Sequence, residues 1–295
     1  MKPTIFIQTN YKQMLGARVS RHSLLRSTSR PDAFDIRYIV AEEQDALHRR
    51  HEQPYLRKDQ RRLWDTDDLQ SFTPTRFLAP QLMDFKGRCL VIDPDVFAVS
   101  DVFELLEQDM KGKAIVCRKM DRPSGRADYM TSVMLLDCNQ LRHWNWNTQL
   151  EQLFSLEFDY FDWMNLHLEN PETIGCLEEK WNHFDTLDSK TKMIHFTGKL
   201  TQPWKTGLPV DFSDHPRSPR FSKSFRHRLK MVLVYLGVLT GAPSHYTKHP
   251  DPKQERFFFE LLANCIKQGE ITREELATEI SKSHLRPDAL SLLES

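Results

Sequence analysis

The sequence predicts an α/β fold followed by a helical extension, and three observations carry that prediction. Through the first half of the 295-residue chain, short apolar runs alternate with amphipathic or charged segments, the pattern of strands covered by helices. One of these runs, Cys89-Leu90-Val91-Ile92, stops abruptly at Asp93-Pro94-Asp95, as a buried strand does at the edge of a sheet. From about residue 217 onward the composition turns basic and then helical. A body over residues 1–215 and a helical C-terminal extension over 216–295 are therefore expected.

The elements follow in order. Thr4-Ile5-Phe6-Ile7-Gln8-Thr9 reads as a buried first strand, and residues 11–27 place Met14, Val19, Leu24 and Leu25 at roughly helical spacing. Phe34-Asp35-Ile36-Arg37-Tyr38-Ile39-Val40 alternates enough for a second strand. Residues 42–68 are charged and poorly patterned and read as surface helix and loop. Thr73-Pro74 opens a helix through Leu82, with proline at a tolerated first-turn position. After the strand ending at Asp93, Ser100-Asp101-Val102-Phe103-Glu104 carries a cap and acids in a first helical turn. Residues 113–118 and 132–137 read as strands, and residues 141–154 as a helix with two tryptophans. Asp251-Pro252 caps a helix through Lys267, and Thr272-Arg273-Glu274-Glu275 is a capping-box pattern for a last one.

Composition removes several functional classes. Lys plus Arg (41) equals Asp plus Glu (41), so the basic excess of a typical nucleic-acid binder is absent. The longest apolar run, residues 231–239, is far short of the roughly 20 residues a membrane span needs. The N-terminal residues turn polar after Ile5-Phe6-Ile7 and leave no secretory apolar region. Five scattered cysteines without a CxxC pair point to a reduced, cytoplasmic protein. Neither a G-x-S-x-G elbow nor a P-loop occurs.

The chemistry concentrates in two places. Asp93-Pro94-Asp95 projects two oxygen ligands from the carboxyl end of a strand, where open α/β sheets bind ligands and where hard divalent ions accept carboxylates. Taken alone, the triplet also reads as a turn with two solvated acids, and Asp65-Thr66-Asp67-Asp68, which follows no apolar strand, reads as a cap or loop. The second place is Lys192-Met193-Ile194-His195-Phe196-Thr197-Gly198, followed by Gln202-Pro203-Trp204-Lys205. A strand ending in His offers an imidazole ligand, and Gly198 admits close backbone approach.

Together, a strand–DxD unit and, about a hundred residues later, H-x-x-G with P-W beyond it resemble the family 8 retaining glycosyltransferases of the glycogenin and lipopolysaccharide galactosyltransferase type. Other segments extend the resemblance over residues 4–207. Residues 5–11 resemble the opening strand that holds uracil and ribose, and Thr75-Arg76-Phe77 stands where the family has an Arg near the nucleotide. Val96 to Leu105 matches the family's sequel to DxD, and Thr131-Ser132-Val133-Met134-Leu135-Leu136 looks like its "NSGVML" strand. Trp181-Asn182 matches a recurrent "WN" before the last strand. Three departures stand out: Thr131-Ser132-Val133 replaces Asn-Ser-Gly, Gln202 stands where Lys is expected, and Asp159-Tyr160-Phe161-Asp162-Trp163-Met164-Asn165 replaces the D-Q segment.

The resemblance implies a GT-A-like mixed sheet with a Rossmann-type nucleotide-binding half. It implies transfer of a hexose from a nucleotide sugar, UDP-linked, to a hydroxyl on a glycan, lipid or protein acceptor, with retention. Asp93, Asp95 and His195 would hold Mn²⁺ (or Mg²⁺); Gln8, Asn10 and Arg76 would seat the nucleotide. Gly198, Lys199 and Lys205 would serve the phosphates, and Asp162 would act at the reacting sugar. The departures keep a second reading open: a sugar-nucleotide or glycan-binding protein on the same fold that does not turn over.

The remaining candidates are weaker. His22, His48, His51, His143, His167, His183, His215, His227, His245, His249 and His284 form no recognisable ligand pattern and read as surface or core residues. Trp144, Trp146 and Trp163 read as core before sugar-stacking platforms, and Ser124-Gly125-Arg126 as a turn. The basic residues ahead of 231–239 suit either peripheral contact through residues 217–241 with the inner face of a membrane or packing on the body.

Overall fold

The first strand, β1 (Thr4–Thr9), is buried along its whole length, so water cannot satisfy its backbone and neighbours on both sides must. It pairs in parallel with β2 (Asp35–Val40) on one side and with β5 (Arg88–Ile92) on the other. In this computed structural model, which describes residues 2–122, 125–212 and 244–294, three further pairings complete a six-stranded mixed sheet. β8 (Asp128–Asp137) runs antiparallel to β5 and to β7 (Ile115–Met120), and β9 (Ile174–Cys176) runs parallel to β7. The order is β2-β1-β5-β8-β7-β9.

Side chains alternate across this sheet and split the core into two layers. Ile5, Ile7, Leu90 and Ile92 face the helix Met14–Arg26 through its Ala17 and Leu24. Phe6 and Val91 face the opposite layer with Phe77, Trp144, Trp146 and Trp163. The tryptophans are therefore core, with Trp144 and Trp163 no more than 1% exposed.

A second, three-stranded sheet positions the site. It consists of β10 (His183–Phe184), β11 (Met193–His195) and β6 (Val96–Ala98). The Asp93-Pro94-Asp95 turn carries the chain from β5 in the large sheet to β6 in the small one. β11 lies antiparallel to β6 with His195 opposite Val96, so histidine and acids meet by strand register.

The C-terminal helices Pro252–Lys267 and Arg273–Ser281 begin as the sequence predicts. Asp251 caps the first, and both halves of the Thr272/Glu275 capping box are formed in the second. Phe258, Leu261, Leu262 and Cys265 pack into one cluster with Leu15, Val19, Phe97, Ile194 and Trp204. The expected boundary near residue 215 and the basic stretch 217–241 lie outside the described residues, as do Pro123 and Ser124. Among the described residues no helix is long and apolar enough to cross a membrane.

Two segments differ from the sequence reading. Residues 42–68 contain a hairpin, β3 (Pro54–Arg57) and β4 (Gln60–Leu63), with Arg57 paired to Gln60. Its two turn residues, Lys58 and Asp59, both have positive φ, 54° and 59°; such turns usually carry Asn or Gly, so the usual signal was missing. Tyr55 and Trp64 anchor this unit in the core at 7% and 5% exposure. The helix expected over residues 141–154 forms only over Trp146–Phe154, where the Asn145 side chain accepts from Thr148 N and starts it.

Candidate active site

Asp93, Asp95 and His195 come together: one ligand atom from each lies within 4.8 Å of the others. A shared divalent ion at roughly 2.0–2.6 Å from each oxygen or nitrogen fits such a spread. The two carboxylates are 13% and 14% exposed, shielded from bulk water yet reachable by a ligand.

Backbone bonds set the turn. Asp93 N donates to Ser132 O at 3.0 Å, Val96 N to Asp93 O at 3.3 Å, and Phe196 N to Asp95 O at 3.1 Å. Helix Met14–Arg26 packs against it through Gly16, where an added Cβ would lie 2.9 Å from Pro94 O. No side chain fits there without moving the turn. At Gly198 an added Cβ would meet the Thr201 side chain, at 2.3 Å from its Oγ1.

The acids are not equivalent. Asp93 Oδ1 accepts from Gln8 Nε2 and, at 3.1 Å, from Arg76 Nη2. Burial raises the Asp93 carboxyl above its ordinary range, and Arg76 opposes that rise. Asp95 Oδ2 accepts from Gln202 Nε2 at 3.1 Å. Its Oδ1 is buried with no hydrogen bond and faces His195 Nε2 at 3.4 Å. Arg76 Nε and Gln202 Oε1 are also buried and unpartnered. Orphaned polar atoms are costly, and an oxygen lone pair left over beside an imidazole nitrogen is what a cation would satisfy. The donor set, two carboxylates and one imidazole, suits Mn²⁺ or Mg²⁺.

The orientation of His195 is fixed by neighbours. Its Nδ1–H donates to Asn182 Oδ1 at 2.9 Å while Asn182 Nδ2 donates to Ser132 Oγ at 3.0 Å. With Nδ1 carrying the proton, the Nε2 lone pair faces Asp95. Burial lowers the imidazole pKa, but the Asp95 carboxylate, with Asp93 and Asp185 behind it, outweighs burial and leaves it raised. Asn182 is fully buried; the "WN" likeness marked its position but not this duty.

The other sequence candidates are placed as follows. Gln8 is fully buried against Asp93. Asn10, also buried, caps the turn at Gln13 N and donates to Leu69 O and Ser71 Oγ, both at 3.1 Å, so it fixes the 68–71 loop. Arg76 bridges Asp93 and the Thr131 hydroxyl, and Thr131 in turn donates to Met164 O at 2.7 Å. Gly198 N donates to Asp185 Oδ1 at 3.2 Å, and Lys199 Nζ to Gln70 Oε1 at 3.0 Å. Lys205 is 0% exposed; its ammonium is committed to Asp211 at 2.8 Å, and burial lowers its pKa. Asp162, 37% exposed, sits on the short helix Tyr160–Met164, paired with His167 Nδ1 at 2.7 Å and Arg126 Nη1 at 3.6 Å.

The chain matches no protein-family model and no curated protein. Among solved structures it is similar to the bifunctional glycosyltransferase WbbM, at TM-score 0.50 and 14% identity over 70% of this chain and 47% of that one. It is also similar to the glycosyltransferase GlyE of Streptococcus pneumoniae TIGR4, at 0.49 and 14%, covering 82% and 65% of the two chains. The galactosyltransferase LgtC gives 0.45 and 16%, covering 82% and 97%. The chain thus spans about half the length of WbbM and about two thirds that of GlyE. At such identities the likeness is one of architecture, and the chain has the α/β, GT-A-like fold that its sequence predicts.

Proposed function

We propose that this protein transfers a hexose from a UDP-linked sugar to a hydroxyl of a glycan, lipid or protein acceptor, with retention, in the manner of family 8 glycosyltransferases. The observation that carries the reading is the meeting of Asp93, Asp95 and His195 at one edge of two sheets, with Asn182 leaving the imidazole nitrogen turned toward Asp95. A bound Mn²⁺ or Mg²⁺ would supply positive charge against the departing diphosphate. Asp93, Asp95 and His195 would hold it. Arg76 would border the nucleotide, while the fully buried Gln8 and Asn10 would act through the Asp93 turn and the 68–71 loop that they hold. Lys199 and the Gly198 backbone would meet the phosphates; Lys205, buried on Asp211, would steady the 203–211 segment. Asp162 would stabilise positive charge developing on the sugar, kept in place by His167.

The protein, stripped of metal and resupplied with Mn²⁺, should release UDP from at least one member of a nucleotide-sugar panel. Binding of UDP without release from any donor would instead favour the non-catalytic reading. Thr131 supports that reading, since its hydroxyl, at the position of the family's donor-contacting Asn, is spent on Arg76 and Met164 O. Absence of both binding and release would end the proposal.

A further inference from the structure

A second ligand cluster lies where the helix Met14–Arg26 meets the helix Pro252–Lys267 and the turn after it. His22, Cys265 and Glu270 each bring one nitrogen, sulfur or oxygen atom within 4.8 Å of the other two. His22 is 1% exposed and Cys265 fully buried, while the Glu270 side chain keeps 25% exposure. Nothing in the proposed sugar chemistry uses them.

The carboxylate is pinned. Glu270 Oε1 lies 2.9 Å from His22 Nδ1, and its Oε2 lies 3.6 Å from Arg21 Nη1. Arg18 donates to the Glu270 backbone carbonyl. The other imidazole nitrogen, Nε2, is buried without any hydrogen-bond partner. A histidine–glutamate pair alone needs no thiol beside it, yet the Cys265 sulfur, otherwise packed among apolar side chains, lies at this pair. Here imidazole, thiol and carboxylate are gathered from separate elements.

Donor chemistry selects the ion. Two carboxylates and an imidazole at Asp93, Asp95 and His195 suit hard cations, whereas a sulfur-containing N/S/O set suits Zn²⁺. We propose that His22, Cys265 and Glu270 form a zinc site, distinct from the Asp93 centre, that fastens the C-terminal helices to the first helix. Binding forms the Zn–S bond and releases the thiol proton to solvent; water entering beside the partly exposed Glu270 completes four-coordination.

Cobalt(II) provides the test, because thiolate ligation gives a sulfur-to-cobalt charge-transfer absorption that the sulfur-free Asp93 centre cannot produce. Full-length protein freed of metal should develop this band on adding Co²⁺ and lose it on adding Zn²⁺. The band should persist in Asp95→Asn, vanish in Cys265→Ser, and weaken in Glu270→Gln. Zn²⁺ should raise the melting temperature of the unaltered protein but not of Cys265→Ser. If the unaltered protein shows no band, or if Cys265→Ser keeps it in full, the proposal is overturned. Should Cys265→Ser fail to fold, Cys265→Ala carries the same expectation, since it too removes the thiol, while His22→Gln should weaken the band as Glu270→Gln does.

Discussion

Asn182→Leu removes the group that orients His195 while keeping the number and branching of side-chain heavy atoms. In the native structure the amide spans two buried partners, His195 Nδ1 at 2.9 Å and Ser132 Oγ at 3.0 Å. The hydroxyl loses only a donor to one of its lone pairs; the imidazole N–H, on a residue 7% exposed, is left without its acceptor. One stranded buried donor costs about 1–3 kcal/mol of stability. Loss of a metal ligand's outer hydrogen-bond partner typically weakens metal binding by about 10–100-fold. Calorimetric titration of the UDP complex with Mn²⁺ should therefore show its midpoint shifted by that factor, with a lowered melting temperature. Ser132→Ala is the control: it breaks only the bond to Asn182 and should leave the Mn²⁺ midpoint within about threefold, because the imidazole keeps its acceptor. An Asn182→Leu protein that folds and binds Mn²⁺ as tightly as the native one would refute the orienting role. So would a Ser132→Ala loss as large as that of Asn182→Leu.

Asp162→Asn should leave folding and UDP affinity nearly intact while turnover falls about a hundredfold or more, the scale of removing one preorganised charge from a site; undiminished turnover would take Asp162 out of it. Gly16→Ala puts a methyl 2.9 Å from Pro94 O, so the Asp93–Asp95 turn must shift, and Mn²⁺ affinity should drop although residue 16 touches no ligand; an unchanged affinity would show that the turn gives freely. Acid should loosen the C-terminal helices. Arg286 hydrogen bonds hold Asp288 below its ordinary 3.8, and the Arg18 bond holds Glu275 below 4.5. With folded values below unfolded ones, their stabilisation is full above the unfolded values and is lost as pH falls through the folded ones. Both side chains are about half exposed (53% and 46%), so each contribution is screened and small. Melting temperatures between pH 6 and 3 should fall less steeply in Arg286→Met than in the native protein; equal slopes would remove Asp288 from the account.

What the sequence disclosed follows from how local each signal is. The strand ending at Asp93 is one continuous apolar run closed by two acids, and β1 and β5 proved to be central strands with buried faces on both sides. The caps at Asp251 and Thr272 depend on residues two or three positions apart, so they too were readable. His195 needed the family pattern, because an apolar pair before a histidine says nothing about which strand lies opposite. Asn182, Gly16 and Gln202 could not be found locally: their work is done on residues 13, 78 and 107 positions away. The β3–β4 hairpin was hidden for another reason. Lys58 and Asp59 adopt left-handed backbone without being Gly or Asn, and the burial of Tyr55 and Trp64 holds them there.

The unequal treatment of the two acids bears on how the site tolerates its own charge. Two carboxylates one residue apart repel each other, and in a half-buried turn that repulsion is poorly screened. Asp93 is compensated within the fold by the Arg76 guanidinium and the Gln8 amide. Arg76 is itself fixed through Thr131 to the segment that carries Asp162. Asp95 receives a neutral amide from Gln202, and its Oδ1 keeps only the 3.4 Å approach of His195. A lysine there would place a fixed positive charge beside that oxygen and compete with a dication for it. Gln202 leaves the negative charge of Asp95 available, so the fold compensates one acid within the protein and leaves the other open, as the proposed cation role requires.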